Sequence, residues 1–134
     1  MKTLDKNCPC SINKTYDNCC GKIHSNINNA STAEELMRSR YSAFVKANGE
    51  YLNKSHHSST RPNSKKQIKE IVAWAKSVTW IKLEIIGTKK GLLNDLEGTV
   101  EFKAYFIEGG IVKTIHENSK FVRENKHWVY LGAN

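Results

Sequence analysis

TWIKLEII (79–86), TVEFKAYFI (99–107), IVKTIHENSKFV (111–122) and HWVYL (127–131) decide the architecture of this chain. Each run is rich in β-branched and aromatic residues, the types that fit a pleated, half-buried surface. The segments between them, GTKKGLLNDLEG, EGG and RENK, suit hairpin turns. Gly109-Gly110 is the tightest, because paired glycines accept the positive φ angles of a two-residue loop. Four successive antiparallel strands are therefore expected.

Upstream the period changes. AEELMRSRYSAFVKA (33–47) places Leu36, Met37, Tyr41, Phe44 and Val45 largely on one stripe of a helix. Ser31, three residues before Glu34, has capping-box spacing, and Asn48-Gly49 supplies a stop. A short second helix is expected from Glu50 to about Lys54, followed by the loop SHHSSTRPNS around Pro62. Ser64 and Gln67 form a second capping box for a helix to about Ser77, with Ile68, Ile71, Val72 and Ala75 inward. Three helices followed by four strands predict an α+β fold, with the helices packed on one face of a curved antiparallel sheet.

All four cysteines fall between Cys8 and Cys20, spaced C-x-C, eight residues, C-C. The surrounding segment is too polar to offset the entropy of ordering itself, so it needs a staple. Four cysteines at this spacing match one closed structural zinc site, Cys8, Cys10, Cys19 and Cys20. Two disulfides are the rival reading, but a Cys19–Cys20 bridge requires a strained ring and no export signal accompanies the cysteines. A redox pair is disfavoured because the motif is not C-x-x-C. His24 is the one alternative ligand nearby and is read as a bystander.

The 134 residues carry a formal net charge of +8. The excess concentrates in the middle third, at Lys54, Arg61, Lys65, Lys66, Lys69 and Lys76. Lys65, Lys66 and Lys69 are candidates for a surface that attracts phosphates or an acidic partner, against the plainer reading of a solvated helix face. The N-terminus MKTLDKNCPC lacks the apolar core of a secretory signal, and no run reaches the roughly 18 apolar residues of a membrane helix. The expectation is a cytoplasmic protein with no membrane association.

CPC-x8-CCG resembles the SEC-C motif, a small zinc-binding module also found at the C-terminus of the protein-export ATPase SecA. LMRSRYSAFV (36–45), YLNKSHHSSTRP (51–62) and IHENSKFVRENKHWVYLG (115–132) resemble the bacterial YchJ family across nearly the whole chain. The resemblance implies a zinc knuckle over residues 1–25 and a nuclear-transport-factor-2-like (NTF2-like), cystatin-related cone over 31–134, joined by the linker SNINNAS (25–31). It implies no particular activity. Two departures stand out. Ser11-Ile12-Asn13-Lys14 replaces the family's Gly-Ser-Gly-Lys turn, and the second SEC-C motif that many members carry at the C-terminus is not present here.

Cones of this kind often enclose a pocket. Candidate lining residues are Arg38, Arg40, Tyr41, His56, His57, Arg61, Glu117 and Ser119, with Glu117 expected to pair with Arg38 or Arg40. Trp74, Trp80 and Trp128 read as core or rim packing. No nucleophile elbow, phosphate loop or histidine metal motif is visible. The preferred function is a non-enzymatic adaptor whose knuckle and basic surface bind a protein or ribonucleoprotein. The alternatives are a small-molecule-binding or catalytic cone using Arg38, His57 and Glu117, and direct nucleic-acid binding.

Overall fold

The computed structural model describes residues 7–10, 13–62 and 64–134. The extreme N-terminus and the Ser11-Ile12 half of the altered turn lie outside them. Helices α1 (Cys20–Ser25), α2 (Ala33–Val45), α3 (Gly49–Lys54) and α4 (Lys65–Ser77) precede strands β1 (Thr79–Lys90), β2 (Glu97–Glu108), β3 (Ile111–Glu124) and β4 (His127–Ala133). The strands form one antiparallel sheet in the order β1-β2-β3-β4.

Local chemistry explains these elements. Gly109 and Gly110 both take positive φ, 59° and 78°, as a two-residue hairpin between β2 and β3 requires. Ser64 caps α4 by accepting from the Gln67 amide. The cap of α2 sits one residue later than its sequence signature: Thr32 accepts from the Glu35 amide, while the Glu35 carboxylate accepts from Ser31 N–H. The overlapping S-T-x-E-E pattern offers two registers, and the observed one buries Ala33 and Leu36. In β1, Ile81 and Ile86 are the extra residues at two register shifts. Such bulges increase local twist and bend the strand.

Leu36, Met37 and Tyr41 of α2 share one core with Val100, Phe102, Phe121, Trp128 and Val129 of the sheet. Each fully buried large apolar side chain contributes roughly 1.5–3 kcal/mol. α2 is enclosed on nearly all sides, and within it only Glu35 is exposed. The stretch read as a linker is seated rather than free. Ile27 and Ala30 are buried in the same core as Cys8, Cys10 and Cys20, and the Trp128 indole donates to Ser31 O. Ile27 is the apolar side chain that the Asn- and Ser-rich composition concealed.

No described helix is long and apolar enough to cross a membrane.

Candidate metal centre and cavity

An antiparallel bridge between Asn7 and Thr15, with Cys8 N–H donating to Lys14 O, closes the first cysteine turn. A single 3-10 turn (Tyr16–Asn18) then leads to Cys19, and Cys20 opens α1. Gly21 follows because a Cβ there would lie 2.7 Å from Tyr16 O, closer than any side chain tolerates.

All four thiols are free, and their sulfurs lie within 4.8 Å of one another. Cys10 Sγ is 3.6 Å from Cys8, 3.5 Å from Cys19 and 3.4 Å from Cys20. A tetrahedron with metal–sulfur bonds near 2.3 Å has edges of about 3.8 Å, so these three separations lie within a few tenths of an ångström of those needed to hold one ion. Cys8, Cys10 and Cys20 are buried, which suits a closed site. Hydrogen bonding with Cys10 and Cys20 holds the Cys8 thiol well below its usual range, whereas the same tight cluster pushes Cys10 and Cys20 up, so a metal ion would have to displace their protons. The cluster can bind a metal ion.

Three contacts fasten the knuckle to α2. Arg38 Nη1 donates to Cys10 O at 2.7 Å while its Nε pairs with Glu34. Ser42 Oγ lies 3.5 Å from Cys8 Sγ. His24 Nε2 lies 2.7 Å from Ser39 O, so that nitrogen carries the proton, and Nδ1 accepts from the Tyr16 hydroxyl at 2.6 Å. Its ring also packs on Tyr51 at 4.5 Å. His24 is therefore no ligand, but it is a fastener that its sequence position does not reveal.

On the other side of α2 lies a cavity of about 280 Å³ between helices and sheet. Trp74, Trp80, Phe44 and Phe102 wall it, with Trp74 and Trp80 edge-to-face at 5.5 Å. Its polar end is built from Arg40, His56, Glu117, Ser119 and Tyr130. The period of two along β3 turns Ile115, Glu117 and Ser119 toward the helices. Ser119 Oγ and Tyr130 Oη both donate to Glu117 Oε2, at 2.6 and 2.9 Å.

Arg40 Nη1 donates to Leu52 O and Ser55 Oγ, and its guanidinium stacks 4.6 Å from the Tyr130 ring centre. Burial pulls its pKa down to about 10, opposed by Tyr130, Tyr51 and Glu117, so it stays charged at neutral pH. Burial, reinforced by Arg40 and Arg61, lowers His56 to about 4, leaving a neutral imidazole. Burial and Glu117 push the Tyr130 hydroxyl up to about 12.

Arg40, Tyr41, Glu117 and Ser119 thus meet in the cavity as expected from their positions, and His56 joins them. Arg38 and His57 do not. Arg38 lies two positions from Arg40, about 200° around the helix, and faces the knuckle. His57 and Arg61 instead approach Glu124, each at 3.7 Å, while Ser58 donates to the same carboxylate; together they clasp the loop against β3. Glu117 makes no ion pair with an arginine among the described residues. Tyr130 carries the link between Glu117 and Arg40, which the sequence pattern did not single out. Trp74 and Trp80 are rim residues, whereas Trp128 is fully buried.

Lys65, Lys66 and Lys69 are exposed at the start of α4, with no ion pair among the described residues. Cations there oppose the helix dipole, so they do nothing for the helix itself.

Fold and site together define an NTF2-like cone carrying a SEC-C-type four-cysteine knuckle. The chain belongs to the YchJ family: residues 32–133 match the YchJ middle NTF2-like domain. It is 42% identical over 128 residues to a UPF0225 protein of Vibrio parahaemolyticus, covering 96% of this chain and 74% of that one. A UPF0225 protein of Streptomyces coelicolor is 39% identical, with 92% and 90% covered. Two solved structures share the fold. A SEC-C motif containing protein from Rhodopseudomonas palustris superposes with TM-score 0.82 at 30% identity, covering 96% of this chain and 97% of the other. One from Psychrobacter arcticus gives 0.77 at 33% identity, with 98% and 83% covered.

Proposed function

We propose that this protein is a small-molecule-binding cone whose wall is braced by a zinc-loaded knuckle. The cavity carries this reading: a concave aromatic chamber with a few convergent polar groups is the usual form of a ligand site. At about 280 Å³ it sits near the small end of the range for such sites. Zinc is favoured as the knuckle ion because four thiolates in a closed tetrahedron suit it, and because a bound divalent ion offsets their charge. Its role is structural, since a closed set of four cysteines is the form of a structural site and no histidine or carboxylate joins the cluster among the described residues.

Two measurements test the proposal. Elemental analysis of purified protein should give about one zinc per chain, and none, or disulfides by mass spectrometry, refutes the knuckle assignment. A small aromatic fragment set followed by NMR should shift the indole N–H signals of Trp74 and Trp80 and leave that of Trp128 in place. Ala104→Leu, which fills the chamber, should abolish those shifts. Shifts that survive the filled chamber place binding elsewhere and overturn the reading.

The unpaired lysines at the start of α4 favour a second reading, an adaptor that docks an acidic protein or ribonucleoprotein on the basic face. Binding to the two faces is separable, since Lys65, Lys66 and Lys69 lie outside the chamber.

A further inference from the structure

We infer that the cavity selects a neutral, flat aromatic ligand of about a dozen heavy atoms whose edge carries one hydrogen-bond donor, received by Glu117 Oε1. The inference rests on the ligand-binding reading of the cone and adds what the ligand must be.

Shape comes first. A volume of about 280 Å³ filled to protein-like density, roughly 0.75, accommodates around 200 Å³ of ligand, the size of a substituted two-ring aromatic. Trp74, Trp80 and Phe44 line the chamber and pack on one another in tilted and edge-on contacts, a kind of contact that also rewards flat rings in a ligand.

Charge comes second. The polar end holds one buried cation, Arg40, and one carboxylate, Glu117, which cancel. The remaining groups, Ser119, Tyr130 and His56, add no charge at neutral pH. A charged ligand would bring an uncompensated charge into this enclosure, and burying an unpaired charge is far costlier than burying a hydrogen-bonded neutral group.

Hydrogen bonding comes last. Glu117 Oε2 already accepts from both Ser119 and Tyr130. Oε1 accepts nothing among the described residues, yet it is not among the fully enclosed atoms lacking a partner. It therefore keeps some accessible surface, and Glu117 is one of the residues that line the chamber. A carboxylate only accepts, so its complement is an O–H or N–H on the ligand. A ligand lacking that donor strips water from Oε1 and returns nothing, a loss that a donor-bearing ligand avoids.

Four probes of nearly equal size test this by calorimetry on the full zinc-loaded chain: 2-naphthol, 2-methoxynaphthalene, naphthalene and 2-naphthoate. The expected result is 2-naphthol binding at least tenfold tighter than 2-methoxynaphthalene, with 2-naphthoate weakest. In Glu117→Gln the naphthol preference should collapse to within about twofold, because a neutral amide accepts less strongly. Equal affinities for naphthol and its methyl ether in the wild type overturn the donor inference while leaving the cavity reading intact. So does a preference for naphthoate. If none of the four binds at millimolar concentration, the cavity reading itself fails. The wild-type comparison decides without any variant, so a misfolded Glu117→Gln protein would not leave the question open.

Discussion

Arg40→Met probes the balance of forces at the polar end most directly. Arg40 is buried, and its pKa falls from 12.5 to about 10. That drop corresponds to a net cost of about 3 kcal/mol for holding the charge inside the protein. Against that stand two charge-assisted hydrogen bonds, to Leu52 O and Ser55 Oγ, at roughly 1.5–3 kcal/mol each. Stacking on Tyr130 adds about 1 kcal/mol. Methionine relieves the first term and forfeits the others, and it also leaves Glu117 without a counter-charge. Ser55 Oγ retains a long contact to Leu52 O at 3.4 Å, which softens the loss. The expected net destabilisation is about 2 kcal/mol, read as a lower urea midpoint at constant slope. Adding Glu117→Gln removes the carboxylate that the first change stranded. The double variant should therefore lose about 1 kcal/mol less than the sum of the single losses. A wild-type midpoint for Arg40→Met, or strict additivity in the double variant, refutes this account of the polar end.

Three further outcomes are expected. His24→Ala removes two neutral hydrogen bonds, one from the knuckle to α2 and one to Tyr16 within the knuckle, and should cost about 2 kcal/mol in urea denaturation while leaving zinc stoichiometry unchanged; loss of metal would show that His24 acts on the site itself. His56 has a folded pKa near 4 against 6.5 unfolded, so the unfolded chain binds the extra proton between these values. Its contribution is fully present above pH 6.5 and fades as pH falls toward 4. After discounting for partial exposure it is worth about 1–2 kcal/mol, read as the difference between wild type and His56→Gln across that window. Reversing Lys65, Lys66 and Lys69 to glutamate should leave fragment binding in the cavity intact. Any polyanion affinity should fall with those changes and with salt between roughly 50 and 200 mM, and RNA binding that survives them places the basic interface elsewhere.

Much of this arrangement is legible in the residue order. The strands follow from runs such as TVEFKAYFI, whose alternation matches the buried face of β2. The cysteine cluster needed only ligand count and spacing, and the period of two placed Glu117 with Ser119. What stayed hidden is set by partners distant in sequence. Arg38 and Arg40 are chemically alike, and a helix with almost no exposed face gives no polar stripe to say which arginine points where. Tyr130 sits in HWVYL as an ordinary strand aromatic until the hydroxyl reaches β3. His24 lacks any local signal, because Ser39 and Tyr51 approach it only through folding.

The enclosure of α2 also bears on the order of assembly. Ser39, Arg40 and Ser42 are buried, so this helix carries polar groups into the interior whose partners lie largely on other elements: Tyr51 for Ser39, Leu52 and Ser55 for Arg40, and Cys8 for Ser42. Thirteen residues of that composition form no stable helix alone in water, and hydrophobic collapse alone gives the segment little reason to enter. Its native position becomes favourable only once the sheet stands on one flank and the cysteine turn on the other. Metal loading then belongs to the kinetics of folding as well as to the stability of the finished state. Refolding from urea in stopped-flow should run severalfold faster with zinc present than with chelator, and equal rates would mean that α2 settles before the cysteine turn closes.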